Sequence, residues 1–165
     1  MSAALTLSAI DAAQPPGGAE AACRPDEAGP ALRVLLTGLK DRKGILRIEL
    51  YPANDADFLA DDTALIRAGK DFRRVDIPAP AEGKVELCIR APRAGVFAVA
   101  ILHDRNQDRK FSPFVDGVGF PNDPKLGFSK PKAAQASVAI GPGLTQAAVT
   151  MKYWNGLSMG RSGAR

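Results

Sequence analysis

Gly95-Val-Phe-Ala-Val-Ala-Ile-Leu-His103 is the stretch that decides the fold. From Val96 to Leu102 it is apolar at odd and even positions alike, so a strand built on it buries both faces and belongs in the middle of a sheet. It ends on the only histidine of the chain. The run is also far shorter than the roughly 20 apolar residues that cross a bilayer, and no other window is longer, so no transmembrane segment is expected.

Working outward, the neighbouring segments alternate as half-buried antiparallel strands do. Val85, Leu87 and Ile89 alternate with Glu86, Cys88 and Arg90, and Ala91-Pro-Arg-Ala-Gly95 ends that strand. Leu46, Ile48 and Leu50 alternate with Arg47 and Glu49, which predicts a strand over 44–51. The turn Lys40-Asp-Arg-Lys43 is expected to close a hairpin between it and 31–39. Phe72 to Ile77 adds a strand. Downstream, 134–140 and 145–153 flank Gly141-Pro-Gly-Leu144, a second hairpin signal. Residues 55–69 are expected to hold a helical turn or short helix capped by Asp61 or Asp62. About seven strands separated by turns predict an all-β, two-layer antiparallel sandwich.

At 165 residues, 45% hydrophobic and 24% charged, the chain fits one globular domain and excludes collagen-like, coiled-coil and wholly disordered classes. The domain is expected over 31–154, between an N-terminal tail (1–30) and a flexible Gly- and Ser-containing C-terminal tail (155–165). Within the first tail, Ala4 to Ile10 resembles the end of a signal-peptide core, and Ala19-Glu-Ala21 has the small-x-small form of a cleavage site. No positively charged start precedes them. The expectation is an export signal whose front lies upstream of Met1.

Residues 1–31 carry Arg24 against Asp11, Glu20, Asp26 and Glu27, so the remainder is more basic than the net charge of +4. Those charges are scattered, with no basic run interleaved with stacking aromatics, which argues against nucleic acid as a partner. Cys23 and Cys88 form no CxxC pair and have no neighbouring His, which excludes the usual zinc and dithiol motifs. A disulfide between them is the simplest use, in an oxidising compartment. Two unrelated buried thiols in a cytoplasmic protein are the alternative.

From Leu102 to Ser129 the composition exceeds what a plain sandwich requires. Asp104, Asn106 and Asp108, at spacing two, can turn their oxygens toward one point, with the Lys110 carbonyl, Ser112 and Asp116 as further ligands of a calcium loop. As an EF-hand the loop departs at its sixth position, Arg109 in place of Gly, and its twelfth, Val115 in place of Glu. Arg105, Arg109 and Lys110 add positive charge beside it. The structural alternative is that these Asp, Asn and Ser side chains satisfy backbone donors in a long turn. His103 reads as a strand-end residue fixing the loop's path, since one histidine does not supply a catalytic zinc site and a triad needs a positioned nucleophile and an orienting acid beside it. Asp104 and Asp116 could serve glycoside hydrolysis as a carboxylate pair.

The run from Ala94 to Phe111, followed by Gly119-Phe-Pro121 and Leu126-Gly-Phe-Ser129, resembles the bacterial family catalogued as domain of unknown function 2141. The likeness extends over about Leu32 to Tyr153. Its marks here are His103, Asp104, Asn106, Gly119, Pro121, Gly127, Phe128 and Ser129. Gln107 and Arg109 depart from it, standing where Gly is frequent, as does Lys130 where Asn commonly follows the Ser. The resemblance implies an exported periplasmic or envelope-associated protein with an immunoglobulin-like or prealbumin-like β-sandwich. The chain is also similar to carboxypeptidase-regulatory-like and surface-protein β modules, whose loops after a central strand resemble calcium sites. The leading expectation is therefore a non-enzymatic binding or structural module of the cell envelope, calcium-stabilised through the Asp104–Asp116 loop, with an envelope protein or polysaccharide as partner. A hydrolase of envelope polymers acting through Asp104, Asp116 and His103 is the alternative.

Overall fold

The computed structural model describes residues 20–162. Ten strands build two sheets: β1 (Ala31–Thr37), β2 (Ile45–Pro52), β3 (Arg73–Pro78), β4 (Val85–Arg90), β5 (Gly95–Asp104), β6 (Gly117–Gly119), β7 (Ser137–Ile140), β8 (Leu144–Thr150), β9 (Lys152–Trp154) and β10 (Met159–Arg161). The smaller sheet has the order β4-β1-β8, and the larger runs β10-β9-β6-β5-β2-β3, with β7 also on β5. The fold is all-β and dominated by antiparallel pairing, as expected. The strand count rises to ten because the short strands β6, β7, β9 and β10 extend the larger sheet beyond β5.

β5 is the central strand. It pairs with β2 from Phe97 to Asp104, and its other edge is divided between β7, at Gly95–Ala98, and β6, at Ile101–His103. Its alternate residues feed two cores. Phe97, Val99 and Ile101 meet Leu32, Val34 and Leu36 of β1 and Leu87 and Ile89 of β4 between the sheets. Ala98 and Ala100 face outward and are covered by Phe58, Leu65, Phe72 and Phe120. That cover explains why both faces of β5 are apolar. It includes α1 (Asp62–Arg67), where the Asp61 side chain caps the helix by accepting the Ala64 amide at 2.9 Å.

Neither expected hairpin forms. β1 and β2 lie in opposite sheets, and β1 pairs antiparallel with β4 and parallel with β8. Leu32, Val34 and Leu36 on one strand and Leu46, Ile48 and Leu50 on the other enter the same core from opposite sides, which a hairpin in one sheet would prevent. The 38–44 connection is thus an arch. Likewise β7 joins β5 while β8 joins β1. The expected strand over 145–153 is two strands, because the chain changes sheet at the fully buried Met151.

Both expected tails contain ordered chain. Met159–Arg161 pairs with β9. Ala22 bridges Ile89, the Arg90 amide donates to the Ala21 carbonyl at 2.8 Å, and Cys23 forms a disulfide with Cys88. The alternative of two unrelated thiols is thereby removed. The apolar stretch from Ala4 to Ile10 lies outside the described residues. Among the described residues no helix is long and apolar enough to cross a membrane.

Candidate functional site

The last two residues of β5 point to opposite sides of the larger sheet. His103 continues the inward set and is fully buried. Its Nε2 lies 2.7 Å from the Lys43 carbonyl, which can only accept, so Nε2 carries the proton and Nδ1 accepts from the Tyr153 hydroxyl at 2.7 Å. Burial depresses the His103 pKa, against the opposing pull of the Lys43 carbonyl and of Asp41, whose carboxylate is 3.8 Å away. The neighbouring Arg105 adds to the depression and Asp116 opposes it. Burial also pushes the Tyr153 hydroxyl up to about 12. His103 is therefore a neutral pin joining β5, the 38–44 arch and β9, with no nitrogen left for a substrate.

Asp104 faces outward beneath the loop that follows, and is only 2% exposed. Its Oδ2 accepts the Arg109 amide at 2.9 Å, while Oδ1 has no hydrogen-bond partner. Asp116 is equally buried, and both its oxygens clasp the loop: Oδ1 accepts the Arg105 amide at 3.0 Å and Oδ2 the Ser112 amide at 2.8 Å. Exposed Asp108 completes the group. One carboxylate oxygen from each of Asp104, Asp108 and Asp116 lies within 4.8 Å of the others.

The remaining expected ligands play supporting parts. Asn106 donates through Nδ2 to Asp108 Oδ2 at 3.0 Å, and the Lys110 amide donates to Asp108 Oδ1 at 2.9 Å. Ser112 offers its amide to Asp116, and its carbonyl accepts the Asp116 amide at 2.8 Å. The Asx-turn reading and the ligand reading thus describe the same loop, because each bond occupies only part of a carboxylate's acceptor capacity.

Two objections to a cation here lose force in three dimensions. Arg109, at the EF-hand glycine position, has φ +64°, the conformation for which glycine is used there, and Gln107 has φ +59°. Arg105 turns away from the cluster: its Nε donates to Asp41 at 2.8 Å and its Nη1 to the Val115 carbonyl at 2.7 Å, strapping the loop's two ends to the arch. Calcium ligands sit about 2.3–2.6 Å from the ion, so two ligands on opposite sides are about 5 Å apart, and a 4.8 Å cluster fits that span. The same geometry does not suit hydrolysis through His103, which is sealed with both ring nitrogens engaged. Gly156-Leu-Ser-Met-Gly160 has the G-x-S-x-G form of a nucleophile elbow, a motif to be weighed against that conclusion. It occupies the β9–β10 turn, where Asn155 Oδ1 accepts the Leu157 and Ser158 amides, and not the strand-to-helix turn an elbow requires.

The family model described as "Uncharacterized protein conserved in bacteria" (DUF2141) matches residues 34–148, most of the chain. The chain belongs to this family. No curated protein and no solved structure matches it.

The DUF2141 marks divide into two kinds here. Gly119 is required by packing, because a Cβ would lie 2.6 Å from Val149 Cγ1 and 2.9 Å from Met151 Sδ. Pro121 is buried beside it. Gly127, Phe128 and Ser129 are exposed, with Phe128 at 104%. Residues missed by the sequence reading include Tyr153 and Gly117, whose Cβ would lie 2.3 Å from the Tyr153 ring. Gly44 was also missed: at φ +71°, its Cβ would fall 2.0 Å from the Asp104 carbonyl. A glycine followed by alternating apolar residues signals a strand start. It does not reveal which distant ring or carbonyl needs the space.

Proposed function

We propose that the protein is an exported envelope module whose Asp104–Asp116 loop binds calcium and is stabilised by it. The buried, unpartnered Asp104 Oδ1 inside a cluster of three carboxylates carries this reading. A buried acceptor left unsatisfied costs about 1–3 kcal/mol, a cost that a ligated cation removes. Calcium favours such hard oxygen donors, and affinity of the order of 10⁻⁴ to 10⁻³ M is typical of extracellular modules. The Cys23–Cys88 disulfide supports an oxidising destination, periplasmic or extracellular. Non-enzymatic binding of an envelope protein or polysaccharide suits a site that holds loops together and whose histidine is sealed from any substrate.

Isothermal titration of the metal-free protein tests the cation. Saturable calcium binding with magnesium much weaker is expected; no heat of binding up to about 10 mM calcium, above the range of such modules, overturns it. Fractionation of the native bacterium tests the destination. Recovery of the mature chain with its thiols reduced, from the cytoplasm, would overturn export.

A further inference from the structure

We infer that the outer face of the larger sheet carries a second, separate binding site, for a single-chain anionic amphiphile such as a fatty acid. Beside the aromatic cover of Phe58 and Phe120 that face opens into a groove of about 700 Å³, floored by Ala100, Leu102, Val118 and Leu126. The volume falls within the 300–1,000 Å³ usual for small-ligand sites. Phe111, Phe114 and Phe128 stand around it, half to fully exposed, and Trp154 packs edge-on to Phe114 with ring centroids 5.4 Å apart. Large apolar side chains left in water around an apolar hollow mark a surface that another apolar body covers.

The charges select the occupant. Glu49 is the lone acid among the lining residues, against Arg47, Arg74, Arg109 and Lys130. The floor pairs are saturated: Arg47 holds Asp76 at 2.8 Å, while Glu49 accepts the Tyr51 hydroxyl at 2.6 Å and the Arg74 Nε at 2.7 Å. They offer little to a sugar, whose hydroxyls need free polar partners. Lys130 donates to the backbone carbonyls of Asp55 and Phe58 and forms no ion pair among the described residues. Exposed Arg109 likewise has no acidic partner there. An apolar chain on the floor with its carboxylate on Arg109 satisfies both features.

The site stands without the calcium reading, although its wall at Phe111 and Phe114 belongs to the same loop. Trp154 is the sole tryptophan and lines the groove, so its fluorescence reports occupancy directly. Dodecanoate, below micelle and soap formation and with and without calcium, should produce a saturable change. Each added methylene should tighten binding about fourfold until the groove is filled. Phe128→Asp should abolish the change, since Phe128 is exposed and its replacement leaves the fold intact. Arg109→Glu should weaken dodecanoate binding but not that of dodecanol. Absence of a saturable change in both conditions, or equal binding of dodecanoate and dodecyltrimethylammonium, overturns the inference. A failed calcium titration does not.

Discussion

Replacing Asp104 by Asn should change stability in opposite directions with and without calcium. In the chelated protein the Asn side chain keeps an oxygen for the Arg109 amide and places a donor where Oδ1 has no partner, within a cluster 4.8 Å across that also contains Asp108 and Asp116. Relieving one unsatisfied buried acceptor is worth about 1 kcal/mol, so D104N should be the more stable protein in EDTA. With calcium at about 10 to 100 times its dissociation constant the native protein gains about 1.4–2.7 kcal/mol by mass action, and loss of a charged ligand removes most of that gain. The stability order therefore inverts. Urea unfolding followed through Trp154 fluorescence measures both arms, read as midpoint shifts at unchanged slope. A D104N protein less stable than native in EDTA, or equal calcium shifts in the two proteins, would refute the reasoning.

Other outcomes follow from the same geometry. In EDTA, stability should fall as pH drops below about 6.5, by at most about 1.4 kcal/mol per pH unit, because burial depresses the folded His103 pKa and the unfolded chain takes up the proton first. Asp41, held low chiefly by its hydrogen bond from Arg105, contributes only at more acid pH, and H103Q should flatten the slope in this window; an unchanged slope refutes the assignment. Gly117→Ala should cost about 1–3 kcal/mol by driving a methyl into the Tyr153 ring, whereas Gly143→Ala, with nothing within 4 Å, should stay within about 0.5 kcal/mol; equal losses in thermal unfolding would contradict the packing account. Arg109→Gly should stabilise by about 0.5–1 kcal/mol by relieving the left-handed backbone, and Arg109→Ala should not, as compared by urea midpoints. Reduction of the Cys23–Cys88 bond should remove about 4 kcal/mol on the chain-entropy model, visible as a lowered unfolding temperature.

The layers of the fold were legible because burial writes itself into alternation. β2, β4 and β5 fall within a residue or so of their expected places, and the two-faced apolar pattern of β5 reports a core on each side. What alternation cannot carry is the partner strand. Lys40–Lys43 and Gly141–Leu144 are good turn signals, but a turn between strands reads alike whether the chain folds back into its own sheet or arches into the facing one. The candidate site was half legible for the same reason. Asp104, Asp108 and Asp116 stand out by composition, while the opposite facing of His103 and Asp104, and the use of Arg105 as a strap on Asp41, depend on an arch 60 residues earlier in the chain.

The small sheet also sets a timetable. Its middle strand, β1, is completed only by β8, and Thr37 and Thr150 in that pair stand 113 residues apart. A chain emerging N-terminus first from a ribosome or an export channel can pair β1 with β4 and close the Cys23–Cys88 bond, yet one edge of β1 stays open until nearly all of the sequence has appeared. Such late, distant pairing folds slowly, and an unpaired edge invites association with other chains meanwhile. The covalent link would hold the first half of the sheet in register during that interval, so oxidation should precede closure in time as well as in sequence.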